Sequence, residues 1–269
     1  MKNAEYITSR QNEKVKEFAS LKDAKGRNKT GLFLAEGIKL TEEALSCGCA
    51  EYLLINGDRL EDSAVKSALD KCPDGVIKYI LAAPAFEKVS TESAPQGLIA
   101  VCGRPSGYSG HAPSADELHG KAAVALDGIR DPGNLGGIIR SAAAFGYDAV
   151  ILGSCADLFN PKTVRSSMGA LFKMSLYECA DLPSALSELS RTRRILGAAL
   201  SGDPLDLSKT ELCRDDIPVI GNEGHGISDE VARVCTSFIK IPITDRAESL
   251  NAGVAAAVIM WEYSKLLCE

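Results

Sequence analysis

The sequence has 269 residues, of which 45% are hydrophobic and 25% are charged. These proportions are typical of a globular protein with a substantial core, and they exclude a largely disordered chain. The longest strongly apolar run, residues 252–261, is too short to span a bilayer, and the first residues lack the apolar segment of a secretory signal. We therefore expect a cytoplasmic protein with no membrane partner.

The cysteines and histidines are dispersed along the chain. Nine cysteines and three histidines are present, and only Cys47 and Cys49 are close in sequence. A Cys-x-Cys pair with no second pair or histidine nearby lacks the ligand set of a zinc site. The sequence therefore predicts reduced, mostly buried thiols and no metal.

Positive charge is concentrated at the start of an acidic chain. The net charge is −6, yet residues 1–30 hold eight basic and four acidic side chains, a local charge of +4 that leaves −10 for the remainder. Such a basic face can contact nucleic-acid phosphates, and a solvated helix is the open alternative. The candidate RNA contacts are Arg10, Lys14, Lys22, Arg27 and Lys29.

The first hundred residues alternate between helix and strand patterns. Residues 11–25 have helical spacing, with apolar side chains on one side and lysines opposite. Strands are predicted at 32–35, 52–55, 76–81 and 98–101, and further helices at 38–45, 63–69 and 84–89. This alternation predicts a compact α/β domain over residues 1–103. Because its acidic residues are dispersed and it has no histidine, we expect a binding domain rather than a catalytic one.

A second α/β domain is predicted after a linker. Residues 104–120 are rich in glycine, proline and serine, with almost no apolar periodicity, which indicates the linker. The alternation resumes over residues 121–269. Strands are predicted at 122–126, 149–152, 173–177, 195–200, 217–220 and 238–241, and helices from 134, from 161, at 182–189 and at 249–267.

The first of three informative stretches covers residues 127–146. A turn follows a buried strand, and Asn134 is the expected N-cap of the next helix. Helical side chains lean toward the helix start, so Arg140 is expected to lie over Gly136 and Gly137. This arrangement suits a phosphate or another polar ligand, although a plain strand–turn–helix explains the same residues.

The second stretch covers residues 220–228. An apolar strand opens into a loop with three glycines, where backbone groups can approach a ligand closely. Glu223 lies among these glycines, and we expect it to bind a ligand or to hold the loop. Ser228 is the expected cap of the following helix. A structural turn is the alternative explanation.

The third stretch covers residues 241–255. Ser249 is the expected N-cap of the final helix, and the Ser249 hydroxyl and the Asn251 amide are candidates to bind a substrate or cofactor. Small residues from 252 to 257 allow another helix or subunit to pack closely. The predicted core stripe of this helix is Leu250, Val254, Val258 and Trp261.

In this order and spacing, the three stretches resemble the signature motifs of the SpoU (TrmH) family of RNA 2′-O-ribose methyltransferases. The matches are Asn134, Arg140 and 145–146 for motif 1, 221–224 and 226–228 for motif 2, and 241–242 and 249–251 for motif 3. Residues 7–37 and 95–97 also resemble the ribosomal-protein-L30e-like substrate-binding domain that often precedes these motifs. The chain departs mildly from the family at Gly137 and at residues 252–253.

The resemblance implies an α/β fold of the SPOUT type. A parallel-sheet domain with a trefoil knot near its C-terminus would follow a smaller L30e-like α/β domain. A homodimer is also implied, with the small-residue face of the last helix as the candidate interface. The implied cofactor is S-adenosyl-L-methionine, bound within the knot. Its contacts, carried over from the family, are Ala199, Leu200, Gly221, Asn222, Gly224, Ile241 and Leu250.

The implied activity is methyl transfer to a ribose 2′-hydroxyl in RNA. The family assigns the base to the motif 1 arginine, here Arg140. Because a guanidinium keeps its proton in proteins, holding a phosphate and stabilising developing alkoxide charge is the physically easier role. The residues expected to orient Arg140 and the ribose are Asn134, Glu223, Ser249 and Asn251.

An L30e-like domain favours ribosomal RNA over transfer RNA as the substrate, because it suits structured RNA recognised by shape and loops. Two alternatives from other classes are open at this point. The first is a non-catalytic RNA-binding or ribosome-assembly factor on the same fold. The second, a nicotinamide-dependent dehydrogenase, is weaker because the glycine fingerprint with a downstream acid is absent near the first strands.

Overall fold

The structure is a computed structural model, which describes residues 4–199 and 204–267. The chain separates into two compact units. The first unit comprises the chain as far as Ser106 together with Phe159–Phe172, and the second comprises Gly107–Leu158 and the chain from Lys173 onward. Residues 159–172 thus interrupt the second unit in sequence and belong to the first.

Short helices alternate with short strands along the chain. The elements as far as residue 102 are β1 (Ala4–Ile7), α1 (Glu13–Ser20), α2 (Ala24–Thr30), β2 (Phe33–Glu36), α3 (Ile38–Ser46), β3 (Ala50–Asn56), α4 (Ser63–Asp70), β4 (Ile77–Leu81), α5 (Ala83–Val89) and β5 (Leu98–Cys102). The later elements are β6 (Tyr108–Ser109), β7 (Ala123–Asp127), α6 (Pro132–Ala144), β8 (Ala149–Gly153), α7 (Pro161–Ser166), β9 (Ser175–Cys179), α8 (Leu182–Leu189), β10 (Ile195–Ala198), β11 (Leu205–Asp206), β12 (Ile217–Ile220), α9 (Asp229–Ala232), β13 (Ser237–Lys240) and α10 (Ala252–Leu267).

The sheet of the first unit has the strand order β1-β4-β3-β5-β2, with β5 antiparallel to both neighbours and the other pairs parallel. Successive side chains of a strand point to opposite faces. Leu54 therefore packs in one core cluster with Phe18 and Ile99, while Leu53 and Ile55 pack in another. Both faces of the sheet are thus covered, as the predicted α/β alternation requires.

The helix predicted over residues 11–25 is two helices, α1 and α2. The Arg27 guanidinium donates to the carbonyl oxygens of Leu21 and Lys22 at 2.8 and 2.7 Å, which satisfies acceptors that the end of α1 leaves open. Arg27 is only 4% exposed. Its predicted role as an RNA contact is therefore not supported, because the cation caps a helix inside the first unit.

The sheet of the second unit has the order β11-β13-β10-β12-β7-β8-β9-β6, and every pair is parallel. Central strands such as β7 and β8 are buried along nearly their whole length, which is typical of parallel sheets. The predicted parallel α/β architecture is confirmed. Because parallel strands end at the same edge, the loops after β7, β10, β12 and β13 come together at the carboxyl edge of this sheet.

Residues 104–120, predicted as a linker, contribute to the second unit from Gly107 onward. Tyr108 and Ser109 form the edge strand β6, which pairs with β9. Leu118 is fully buried in the core of the same unit. A two-residue strand and a single buried leucine are too short to give a periodic pattern, so composition alone indicated a loop.

Candidate active site

The first informative stretch forms β7, a turn and α6, and its N-cap is Asp131. The Asp131 carboxylate accepts the backbone N–H of Asn134 at 2.9 Å, and Pro132 takes the first helical position, where no N–H donor is needed. The prediction of Asn134 as N-cap is therefore wrong. The Asp-Pro dipeptide was the available signal for this earlier start. The Asn134 side chain is left to make other bonds.

The side chains of Glu223, Asn134 and Asn251 form a hydrogen-bonded chain that joins the three informative stretches. Asn134 donates from Nδ2 to Glu223 Oε1 at 3.0 Å and accepts at Oδ1 from Asn251 Nδ2 at 3.2 Å. The Glu223 carboxylate also accepts the backbone N–H groups of Arg130 at 3.1 Å and Asp131 at 3.2 Å. The loop after β12 is thereby attached to the start of α6.

The same donors hold Glu223 as a carboxylate. Partial burial raises the pKa of Glu223, but the hydrogen bonds from Asn134 and from the backbone N–H groups of Arg130 and Asp131 outweigh burial, and the pKa lies below its ordinary value. At neutral pH Glu223 is therefore an anionic acceptor that fixes the backbone of the turn before α6.

Asn222 closes the loop after β12. It donates from Nδ2 to the Gly128 carbonyl at 2.7 Å and accepts at Oδ1 from the Gly224 N–H at 2.8 Å. Gly221 has no room for a side chain, since a Cβ there would lie 2.1 Å from the carbonyl carbon of Gly226. Three predicted cofactor positions, Gly221, Asn222 and Gly224, thus belong to one closed turn.

Ser228 caps α9, as predicted. Its hydroxyl accepts the Val231 N–H at 3.4 Å, and its own N–H donates to Asp127 Oδ2 at 2.7 Å. The end of β7 and the loop after β12 are therefore joined at a second point.

The N-cap of α10 is Asn251, and the prediction of Ser249 as the cap is wrong. Asn251 Oδ1 accepts the backbone N–H groups of Gly253 at 2.9 Å and Val254 at 3.3 Å. Ser249 is exposed, and its hydroxyl makes no hydrogen bond to residues 4–199 or 204–267. Serine and asparagine both favour the N-cap position, so the sequence pattern could not choose between them.

Arg140 lies on the exposed side of α6. It makes no hydrogen bond or ion pair with any residue that the structure describes, Glu223 included. The Arg140 side chain does not pack against Gly137, because a Cβ built on Gly137 meets no heavy atom within 4 Å; its predicted position over Gly136 and Gly137 stays a prediction. Its guanidinium donors are therefore not taken up by any described residue. These donors are available to a ligand.

Two of the remaining predicted cofactor positions, Ala199 and Ile241, follow neighbouring strands. Ala199 comes directly after β10 and donates its N–H to the Ile239 carbonyl at 3.0 Å. Ile241 comes directly after β13, and Leu250 is exposed shortly before α10. Leu200 lies outside the described residues. Because β13, β10 and β12 are adjacent, Ala199, Ile241 and the closed turn at residues 221–226 share the carboxyl edge of the sheet.

Helices α6 and α10 pack together and form a groove of about 490 Å³ on their exposed side. Val254, Val258 and Trp261 of α10 border it and are 50%, 38% and 52% exposed. The predicted core stripe is therefore wrong, because α10 turns its other face to the core. The groove-lining residues are Gly133, Asn134, Gly137, Ser141, Phe145, Asn251, Gly253, Val254, Ala257, Val258 and Trp261. The buried residues of the helix are Ala252, Ala256, Ile259, Met260 and Tyr263.

Four of the predicted RNA contacts keep a cation at the surface of the first unit. Arg10 and Lys29 are exposed. Lys14 pairs with Glu17 at 2.9 Å, and this hydrogen bond raises the pKa of Lys14. Partial burial lowers the pKa of Lys22. These four side chains are part of the basic surface of the first unit.

Neither a metal centre nor a membrane span is found in the described part of the chain. Within residues 4–199 and 204–267, no group of three or more His, Cys, Asp or Glu side chains is arranged to hold a metal ion. No helix in these ranges has the length and apolar character to cross a bilayer.

Comparison with known proteins identifies the family. Residues 121–261 match the model of the SpoU rRNA Methylase family, and residues 12–100 match the MRM3-like substrate binding domain. A 23S rRNA (guanosine(2553)-2′-O)-methyltransferase of Bacillus subtilis is 35% identical over 260 residues, covering 95% of this chain and 97% of the relative. A 23S rRNA (uridine(2479)-2′-O)-methyltransferase of Streptomyces viridochromogenes is 30% identical over 270 residues, covering 96% and 91%.

A solved structure agrees with these matches over the whole length. The crystal structure of an AdoMet-bound rRNA methyltransferase from Sinorhizobium meliloti is similar with a TM-score of 0.82 at 28% identity, covering 98% of this chain and 99% of that one. The fold and the joined motifs define a SPOUT-type methyltransferase. The chain belongs to the SpoU rRNA methylase family, which confirms the resemblance seen in its sequence.

Proposed function

We propose that this protein transfers a methyl group from S-adenosylmethionine to a ribose 2′-hydroxyl in 23S ribosomal RNA. Two relatives that match nearly the whole chain carry this activity in their names. The observation that carries the proposal is the hydrogen-bonded chain of Glu223, Asn134 and Asn251, which assembles the three family motifs. A factor that only binds RNA has no need of this assembly, so the non-catalytic alternative is less favoured.

The cofactor would be held at the carboxyl edge of the second sheet. Backbone groups after β10, β12 and β13 suit the polar edges of an adenine, a ribose and an amino-acid group, and the closed turn at residues 221–226 brings backbone close to a ligand. When bound, the cofactor supplies an electrophilic methyl group on a sulfonium. The residues that would hold it are Ala199, Gly221, Asn222, Gly224, Ile241 and Leu250.

Arg140 would stabilise the negative charge that develops on the attacking 2′-oxygen. Its guanidinium stays protonated and cannot take up the proton of the hydroxyl. Its donors are not used by the described residues, so they can reach a phosphate and the ribose oxygen. Glu223 and Asn251 would position α6 through their hydrogen bonds to Asn134. The exposed hydroxyl of Ser249, two residues before Asn251, would orient the ribose.

A homodimer through the α6–α10 groove would cover the exposed apolar side chains of α10. Val254 and Trp261 are at least half exposed, and contiguous apolar surface of this kind is typical of an interface. Gly133, Gly137 and Gly253 line the groove, and their lack of side chains would let a second copy approach closely. The site would then be completed at the junction of two copies.

The strand order supports the trefoil knot that the family implies. β13 lies between β10 and β11, whereas the chain after β13 continues to α10, which packs on α6 and β12. The segment after β13 would therefore pass through the loop that links β10 to β12, an exception to the rule that chains do not thread loops.

The first unit would bind the rRNA. Its match to a substrate-binding domain and its exposed basic side chains support phosphate contacts by Arg10, Lys14, Lys22 and Lys29. An rRNA-modifying enzyme meets its substrate where ribosomes are assembled, which supports a cytoplasmic location.

The test is a methyl-transfer assay on unmodified RNA. The protein is incubated with methyl-labelled S-adenosylmethionine and with transcripts of 23S rRNA or of tRNA. We expect label in 23S rRNA at a nucleotide that becomes resistant to alkaline cleavage, because a 2′-O-methyl group blocks attack by that oxygen. Label in tRNA alone would support the tRNA alternative. Failure to bind S-adenosylmethionine in calorimetry would support the non-catalytic factor.

A further inference from the structure

Three cysteines of the first unit lie in a row at the end of α3, and none belongs to the methyl-transfer site. Cys47 is the C-cap of α3 and is exposed, Cys49 is 9% exposed, and Cys102 is fully buried at the end of β5. The Sγ atoms of Cys47 and Cys49 are 3.1 Å apart. Cys102 lies beside this pair, because it is opposite Ala50 in the sheet and the N–H of Gly103 donates to the Cys49 carbonyl at 2.9 Å.

The backbone at the end of α3 holds the two outer sulfurs together. The N–H of Gly48 donates to the Leu45 carbonyl at 3.2 Å, and the N–H of Cys49 donates to the Ala44 carbonyl at 3.3 Å. This pattern requires a left-handed residue between the cysteines, and Gly48 supplies it with φ 73°. The sulfurs of Cys47 and Cys49 both face the Ala44 carbonyl oxygen, at 3.4 and 3.7 Å. Helix termination alone therefore sets the pair side by side.

We propose that Cys47 and Cys49 are a thiol pair that hydrogen peroxide oxidises to a reversible disulfide. The Cys49 thiolate attacks a peroxide oxygen, an S–O bond forms, the O–O bond breaks, and the departing hydroxide takes up a proton to become water. The Cys47 sulfur then attacks the sulfenic acid, the S–S bond forms, and the hydroxyl leaves with the Cys47 proton as a second water. Both sulfurs are oxidised and both peroxide oxygens are reduced.

The surroundings of the two thiols make one of them the nucleophile and the other the sulfur that closes the disulfide. Hydrogen bonds from Cys102 and then Cys47 lower the pKa of Cys49 to about 7, although burial opposes them. Burial and its donation to Cys49 raise the pKa of Cys47 to about 11. Cys49 is therefore the nucleophile, and Cys47 retains the proton that it releases when the disulfide closes. Peroxide is small enough for a mostly buried sulfur, and exposed Cys47 gives a reductant access to the bond.

Trypsin separates the relevant sulfurs for mass spectrometry. Cys47 and Cys49 share the tryptic peptide of residues 40–59, and Cys213 lies in the peptide of residues 210–214. Cys102 lies in the peptide of residues 89–121, because trypsin does not cleave after Arg104, which precedes a proline. After peroxide treatment of the native protein and alkylation, we expect peptide 40–59 to be two hydrogens lighter and unalkylated. Dithiothreitol should restore both alkylation sites. Exposed Cys213 is the internal control and should stay alkylatable.

Two variants complete the test. In Cys47→Ser, a substitution at an exposed position, Cys49 should persist as a sulfenic acid after peroxide treatment and be trapped by dimedone that is added together with denaturant, which opens access to the buried sulfur. Cys213→Ser should leave the disulfide unchanged. The proposal is overturned if peptide 40–59 stays alkylatable while Cys213 is oxidised, or if peptides 40–59 and 89–121 become cross-linked. Absence of dimedone label on Cys49 in the Cys47→Ser variant overturns it too.

Discussion

The side-chain amide of Asn134 donates to Glu223 Oε1 at 3.0 Å, although 89 residues separate them in sequence. The oxygen of the same amide accepts from Asn251, which is 117 residues away from Asn134. One side chain therefore connects the start of α6, the loop after β12 and the start of α10. A substitution at Asn134 should therefore alter the hydrogen bonding of all three segments.

Asn134→Asp should lower stability and methyl transfer together. The new carboxylate removes the N–H donor and places a second negative charge beside Glu223. We expect a loss of about 1–2 kcal/mol in the free energy of unfolding at neutral pH, measured by urea denaturation. Because like charges raise the pKa of such a pair, the loss should shrink as the pH falls. Asn134→Ala, which removes the donor without adding charge, should lack this recovery, and equal pH profiles for the two variants would contradict the charge argument.

Glu223→Gln should weaken the dependence of stability on acidic pH. The pKa of Glu223 is lower in the folded protein than in an unfolded chain. Such a group contributes stability that is fully present above its unfolded pKa of about 4.3 and is lost as the pH falls through the lower folded value. The wild type should therefore exceed the variant in stability near neutral pH, and the gap should narrow as the pH falls below the unfolded pKa and through the lower folded pKa of Glu223. Urea denaturation at a series of pH values measures the gap, and a gap that stays constant over this range would rule out the titration of Glu223 as its source.

The meeting of the three stretches could be predicted from local patterns, but the choice of capping residues could not. Apolar strands followed by glycine-rich loops are visible in the sequence, and parallel pairing brings their ends to one edge. Asp131 and Asn134 can both cap a helix, as can Ser249 and Asn251. The residue that does not cap α6, Asn134, instead bonds to Glu223 and Asn251, which are far from it in sequence, and a local pattern does not record such contacts.

The apolar periodicity of α10 could not predict which face of this helix is buried, for a different reason. Apolar residues occupy more than one face of this helix, since Ile259 and Met260 are buried while Val254 and Trp261 are exposed. A helical pattern identifies apolar stripes but does not say which one faces the core and which one faces another molecule.

The caps can be compared directly by two alanine substitutions. Asn251→Ala should lower the free energy of unfolding by about 1 kcal/mol, because the backbone N–H groups of Gly253 and Val254 lose their acceptor. Ser249→Ala should leave it unchanged, since the hydroxyl bonds to none of the described residues. Urea denaturation of both variants is the measurement. A larger loss for Ser249→Ala would return the capping role to serine.

Arg140→Ala should lower the rate of methyl transfer to rRNA by about 100-fold or more, the usual effect of removing a group that stabilises developing charge. Binding of S-adenosylmethionine in calorimetry should be unchanged, because the proposed cofactor contacts do not include Arg140. Arg214→Ala, at another exposed position of the second unit, is the matched control and should keep full activity.

Arg140→Lys separates a charge-stabilising role from a base. A lysine amine loses its proton at lower pH than a guanidinium. If residue 140 took up the proton, the lysine variant should gain activity steeply as the pH rises toward the pKa of the amine. If it supplies positive charge, the variant should be impaired at neutral pH and gain nothing from higher pH.

In the proposed homodimer, Trp261→Glu should cause dissociation into monomers without unfolding the protein. Trp261 is 52% exposed within one protomer, so a charge there is tolerated in the monomer but would be buried in the proposed α6–α10 interface. We expect the dimer dissociation constant in sedimentation experiments to rise at least about tenfold, as for a central aromatic interface residue. Leu205→Glu is the matched control, because Leu205 is 51% exposed on β11, away from the groove, and should stay dimeric. A Trp261→Glu variant that remains dimeric would place the interface elsewhere, and the α6–α10 groove would then need another explanation.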